Sequence, residues 1–138
     1  MYLIDTDVIS ELRKGTKADP RVLRFFADAD NDNHALYLSV VTIGELRRGV
    51  ELIRHREDTQ QAKRLENWLA LLLREYEDYI LEFGREEAQV WGRLRVPHHE
   101  NALDKQIAAT ALTHGLKLVT RNTERFRRLG LEIVNPFE

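Results

Sequence analysis

Five short apolar runs punctuate the chain: Tyr2–Ile4, Leu36–Ser39, Tyr79–Phe83, Leu118–Thr120 and Leu131–Val134. Each is bounded by polar or turn-forming residues, the pattern of short buried strands. Between them the apolar positions change to a spacing of three and four, the period of a helix. Val8–Lys14 reads as a short helix with Thr6 or Asp7 as its N-cap and Gly15 as its stop. A helix from about Asp19 to Ala29 follows, with Pro20 at a permitted first-turn position, and Asp28–His34 reads as a polar loop. Thr42 opens a helix with Ile43, Leu46, Val50 and Ile53 on one face. The longest helix, about Asp58 to Asp78, carries the stripe Ala62, Leu65, Trp68, Leu69, Leu72, Leu73 and Tyr76. Glu86–Leu94 turns Val90, Trp91 and Leu94 inward; Pro97 ends it, and His98–Asn101 is a loop. Leu103–His114 is a small-residue apolar helix closed by Gly115, and Thr123–Leu129 is a short helix stopped by Gly130. Strands alternating with helices predict an α/β fold: a mostly parallel sheet of four to five short strands flanked by helices. No repeat, low-complexity tract or flexible linker divides the chain, so residues 1–138 read as a single domain.

Composition narrows the chemistry. With no cysteine, disulfides, zinc–thiolate sites and cysteine nucleophiles are excluded, and a reducing compartment fits. The N-terminal segment has no signal-peptide pattern and no apolar run is long enough to span a membrane, so a cytoplasmic protein is expected. A net charge of −2 argues against a protein that coats nucleic acid nonspecifically. It leaves open an enzyme that cuts nucleic acid, because acidic metal-binding residues would offset basic ones.

The acids fall in a pattern. Ligands of an open parallel sheet bind beyond the carboxyl ends of its strands. Asp5 directly follows the first strand, Thr120-Arg121-Asn122 close the fourth, and Glu45 and Asp104 lie in the first turns of neighbouring helices. If strands one, two and four are adjacent, all three acids face the same edge. Carboxylates gathered there could not all stay ionised without a cation. Oxygen ligands without His or Cys suit Mg²⁺ or Mn²⁺, ions that act on phosphate substrates. Each acid also has a plainer role open to it. Asp5 can cap a helix, Thr42-Ile43-Gly44-Glu45 has the form of a capping box, and Asp104 suits a helix N-terminus.

The stretches MYLIDTDVISELRK, LYLSVVTIGELRRGVELI, ALDKQIAATALTHGLKLVTRNTERF and GLEIVNPFE together resemble the PIN-domain ribonucleases. The branch they are most similar to is the VapC/FitB-like toxins of type II toxin–antitoxin pairs. The similarity runs in order from Met1 to Glu138 and is weakest from about Arg54 to Glu82. It implies a three-layer PIN-like fold and a Mg²⁺- or Mn²⁺-dependent endoribonuclease that hydrolyses RNA phosphodiester bonds. The family's acidic positions fall on Asp5, Glu45 in the GEL motif, and Asp104 in D-x-x-I-A-A; these are the implied catalytic and metal-holding residues. Where many relatives have a further acid, this chain has Asn122, with Glu124 nearby. Thr6, Asp7, Thr120 and Asn122 are implied supporting residues, Asp7 standing where relatives commonly carry Asn. Gly84 replaces a frequent Asp, and Arg95–Asn101 is shorter than in many relatives. Arg47, Arg48 and Arg121 are candidates to contact the RNA backbone, against a solvated helix face for the first two. The resemblance also implies a VapB-like antitoxin that plugs the groove, and a homodimer. Trp68 and Trp91 could serve either interface, or simply the core.

Other patterns fail or compete. Asp28–Asp32 suggests a calcium loop, but the required Gly falls on Asn33 and the terminal Glu on Ser39. His98 and His99 have no partner at metal-ligand spacing, and no phosphate-binding Gly loop or Gly-x-Ser-x-Gly elbow is present. The D-x-D of Asp5 and Asp7 also resembles the first motif of haloacid-dehalogenase-like phosphatases, with Asp5 as nucleophile. That enzyme needs a late pair of acids, which the chain lacks after Thr120. A PIN-like domain that binds RNA or a partner without cutting is the other alternative.

Overall fold

The apolar runs form five strands in the computed structural model, which describes residues 1–138: β1 (Tyr2–Ile4), β2 (Leu36–Ser39), β3 (Ile80–Leu81), β4 (Lys117–Val119) and β5 (Ile133–Val134). All pair in parallel, in the order β3-β2-β1-β4-β5. The adjacency on which the site depends is therefore present, with β1 at the centre between β2 and β4. Register completes the alignment. Leu3 lies opposite Tyr37 and Ile4 opposite Val119, so Asp5, Ser39 and Thr120 leave the sheet at one level.

Seven helices cover the two faces: α1 (Thr6–Glu11), α2 (Pro20–Asn31), α3 (Val40–His55), α4 (Thr59–Glu75), α5 (Arg85–Leu94), α6 (Ala102–His114) and α7 (Thr123–Phe126). The two-residue period of a strand divides the core into two layers. Ile4, Leu38 and Val119 face one way and pack with Val8, Val22, Val50 and Leu69 of α1 to α4. Leu3 and Leu118 face the other way and meet Ile107, Ala108 and Ala111 of α6 and Phe126 of α7. The alanines let α6 approach the sheet closely. Full burial of Leu3 or Ile4 stabilises the fold by about 1.5–3 kcal/mol each. Truncating either to alanine would cost about 2–5 kcal/mol, because a cavity is left behind.

Several boundaries differ from the periodic pattern, each for a local reason. The cap of α1 is Asp5, not Thr6 or Asp7: its Oδ1 accepts the Thr6 amide at 2.8 Å. The helix ends at Glu11 and continues as a 3₁₀ segment, Leu12–Lys17, within which Gly15 takes a φ of +58°. Helix α3 begins at Val40 because Ser39 caps it, its hydroxyl accepting the Val41 amide at 3.0 Å. Thr42 and Glu45 are therefore interior residues and no capping box exists there; Glu45 lies in the second turn. Helix α2 runs through Asn31 and takes in most of the expected polar loop. The long fourth helix stops at Glu75, since Glu77–Tyr79 form a 3₁₀ turn that also shortens β3 to two residues. Helix α7 ends at Phe126. Neither tryptophan is fully buried. Trp68 packs partly exposed against the first core layer, and Trp91 donates its indole N–H to the Ala102 carbonyl at 3.0 Å. No helix is long and apolar enough to cross a membrane.

Candidate active site

The carboxyl edge of β1 and β4 holds the most unusual chemistry in the chain. Asp5 is 4% exposed. Its Oδ1 caps α1, and its Oδ2 accepts the Thr120 hydroxyl at 2.7 Å, a direct consequence of the β1–β4 register. Thr120 is itself fully buried, and its oxygen accepts the Asn122 amide at 3.1 Å. Burial pushes the Asp5 carboxyl up to about 7, and the negative charges of Asp7 and, more weakly, Asp104 push the same way. The Thr120 and Thr6 hydrogen bonds pull against this shift without cancelling it.

Asp7 lies two residues on, inside α1. Its Oδ2 accepts the Arg121 amide at 3.1 Å, tying α1 to the end of β4. Its Oδ1 is buried with no hydrogen-bond partner, and burial raises its pKa above the ordinary carboxylate value. Asp7 thus hydrogen-bonds beside Asp5, while the cap of α1 belongs to Asp5. Glu45 reaches the edge through Thr6, whose hydroxyl donates to Glu45 Oε1 at 2.8 Å and lies 3.0 Å from the Thr42 hydroxyl. Thr6 therefore links the end of β1 to α3. Asp104, in the first turn of α6, directs Oδ2 to the Arg125 guanidinium at 3.2 Å. Asn122 is exposed at the start of α7 and its side chain makes no capping hydrogen bond.

The edge is thus anionic and short of compensating charge. An unpartnered buried oxygen and a carboxyl raised by burial are what a bound cation would compensate, and the donors are all hard oxygens. The set suits Mg²⁺ or Mn²⁺. It is not pre-assembled: no three acidic or histidine side chains converge closely enough to hold an ion as they stand. Glu45 is engaged by Thr6 and Asp104 by Arg125.

Arg47 and Arg48 both lie on a solvated helix face, one of the two roles open to them. Arg47 is committed to Glu66 at 2.7 Å and Glu51 at 3.4 Å, so its side chain belongs to a surface ion-pair network. Arg48 is exposed. Arg121 stacks over the Phe137 ring at 4.5 Å. The residue that the sequence pattern missed is Arg125. Only the packing of α7 against α6 places it at Asp104, 21 positions away. Beside Thr6 and Glu45 a cleft of about 140 Å³ opens between α1, α3 and α4, walled by Leu46, Ile53, Leu65 and Trp68.

Comparison with known proteins places the chain. Residues 2–131 match the model of the PIN domain family. The chain is 35% identical over 142 residues to the VapC ribonuclease Y4jK of Sinorhizobium fredii, covering 100% of this chain and 99% of the relative. It is 32% identical over 143 residues to toxin FitB of Neisseria gonorrhoeae, covering 99% of each. The crystal structure of FitAcB from Neisseria gonorrhoeae superposes with a TM-score of 0.86 at 30% identity, covering 100% of this chain and 99% of that one. A five-stranded parallel sheet with its acids at the carboxyl edge, and a match spanning nearly the whole chain, make this protein a member of the PIN domain family, with VapC and FitB proteins among its relatives.

Proposed function

We propose that the chain is a Mg²⁺- or Mn²⁺-dependent endoribonuclease and the toxin of a type II toxin–antitoxin pair, working in the cytoplasm. The observation that carries this reading is Asp5: a buried carboxyl raised to about 7, flanked by further acids at the sheet edge of a PIN domain. Asp5, Glu45 and Asp104 would hold the ion, with Asn122, whose backbone amide is tied to Thr120, as a further candidate beside them. The chemistry supplied by an ion held by these residues would be polarisation of the phosphodiester and a lowered pKa for a water.

The chain's own residues do the positioning. Thr120 and the Thr6 amide fix the two Asp5 oxygens, and the Thr6 hydroxyl holds Glu45. The Arg121 amide holds Asp7 beside them. Exposed Arg48 is available to the RNA backbone. The D-x-D of Asp5 and Asp7 then belongs to a PIN site, and the phosphatase alternative falls with the family assignment. A relative named as a toxin, and a 25% identical structure described as a member of the VapBC family of toxin–antitoxin systems, support an antitoxin partner. The apolar cleft that opens beside Glu45 suits a plugging segment of such a partner. A homodimer is part of the same reading.

One observation favours a domain that binds without cutting: Asp104 is paired with Arg125 and the acids are not gathered. A cleavage assay separates the two. We expect RNA hydrolysis that requires Mg²⁺ or Mn²⁺, stops in EDTA, and is lost in Asp5→Asn and Asp104→Asn. Cleavage that persists in EDTA or in both variants would overturn the metal-nuclease reading. RNA binding with no cleavage under any divalent ion would favour the alternative.

A further inference from the structure

We propose that Arg125 is an RNA-phosphate contact of this site, parked on Asp104 in the free chain and exchanged for a divalent cation when the site is loaded. The inference rests on the nuclease reading above.

The geometry has three parts. The Arg125 guanidinium makes one hydrogen bond to Asp104 Oδ2, at 3.2 Å, and not the two-pronged pairing that a structural Arg–carboxylate bridge adopts. The two partners are unequally placed: the Arg125 side chain is 55% exposed while that of Asp104 is 19% exposed. Arg125 therefore reaches in from the solvent side over a carboxylate that faces the acidic edge. The charge of Asp104 also bears weakly on both Asp5 and Asp7, so the Arg125–Asp104 pair borders the same anionic group of residues.

The exchange follows from charge. A divalent ion drawn to Asp5 and Asp104 competes with Arg125 for the Asp104 carboxylate and repels the guanidinium. The displaced side chain needs another anion, and its planar fork of N–H donors matches a phosphate. A phosphodiester approaching the loaded edge supplies it. Arg121 at this edge is stacked on Phe137, whereas Arg125 is held directly on a site carboxylate and is the cation that a loaded ion would free. The pair is exposed and of surface strength, so parking costs the cation only a little affinity.

The test uses the full-length protein with Arg125→Gln and Arg125→Lys. Mn²⁺ affinity is measured by calorimetry without RNA, and kcat and KM are measured on a fluorogenic single-stranded RNA across a salt series. We expect Arg125→Gln to bind Mn²⁺ about two- to fivefold more tightly, since one exposed ion pair no longer competes. We expect its KM to rise about fivefold with kcat little changed, as for loss of one exposed charge pair. The slope of log KM against log salt should fall by about 0.7, the share of one phosphate contact on a single strand. Arg125→Lys should restore the slope. Unchanged or weaker Mn²⁺ affinity, or an unchanged KM and slope, in a protein whose wild type binds Mn²⁺ and cleaves RNA would overturn this inference and leave the nuclease reading standing. A wild type that neither binds Mn²⁺ nor cleaves RNA would overturn both.

Discussion

Two clusters of charge lie within reach of α3, and they are built on opposite terms. On the outer surface, Arg47 and Arg54 interlock with Glu51 and Glu66 at 2.6–3.4 Å. Each anion there has a cation, and the arginines hold both glutamate carboxyls below their ordinary value. At the carboxyl edge of the sheet, Asp5 and Asp7 are more buried and acids outnumber cations. Burial pushes their carboxyls up. A balanced, exposed network is a solubilising surface whose members contribute little individually. An unbalanced, buried one is held by the rest of the fold at a cost, which is the signature of a functional site. Charge density alone would have ranked the two clusters alike; the direction of the carboxyl shift separates them.

The largest break in this contrast is Asp5→Asn. Asparagine keeps the cap and the shape but removes the buried charge. Losing a proposed first ligand should lower RNA cleavage by more than ~100-fold, beyond the range typical of outer residues. The same variant should be more stable than wild type at neutral pH without metal, as read by urea denaturation. The pH dependence follows from the sign of the shift. The folded Asp5 carboxyl, at about 7, lies above its unfolded value of 3.8, so the folded state holds the proton more tightly. Its stabilising contribution is complete below about pH 4 and is lost as pH rises towards and through 7. At ~1.4 kcal/mol per pH unit, the metal-free protein should lose up to about 4 kcal/mol across that window. Asp5→Asn should flatten this slope.

Smaller effects sharpen the comparison. Thr120→Val removes the 2.7 Å hydrogen bond that favours ionised Asp5, and should weaken Mn²⁺ binding about 10-fold with the fold intact, by calorimetry and circular dichroism. The smallest is Glu66→Gln in the surface network. It opens two exposed ion pairs and should leave both melting temperature and RNA cleavage unchanged within error.

Much of this architecture is legible from residue patterning. Strand positions and the small-residue helix closed by Gly115 follow from apolar period, whereas the adjacency of the first, second and fourth strands is only a condition in the sequence and comes from the sheet order. Helix starts follow less well, because several donors compete for one cap. Ser39 caps α3 three residues ahead of Thr42, and Asp5 takes α1 ahead of Thr6 and Asp7. These near misses matter for function. They free Glu45 from a capping box and give Asp5 both a structural and a candidate catalytic duty. Asp5 and Asp104 stand at a strand end and a helix start, where sequence logic points to them, whereas Glu45 is interior to α3 and is singled out only by the GEL motif of the family resemblance. Neither route points to Arg125. Its position depends on how α7 packs on α6, which no local spacing encodes. The same is true of Arg47, whose partner Glu66 lies on another helix.

The central claim is that the acid excess at the carboxyl edge exists to hold a divalent cation. The most direct test is a Mn²⁺ titration of the wild type and Asp5→Asn at neutral pH, with heat of binding and thermal midpoint read together. Saturable binding that raises the midpoint of the wild type and is absent in Asp5→Asn is the predicted result. No binding, or equal binding and stabilisation in both proteins, would contradict the account.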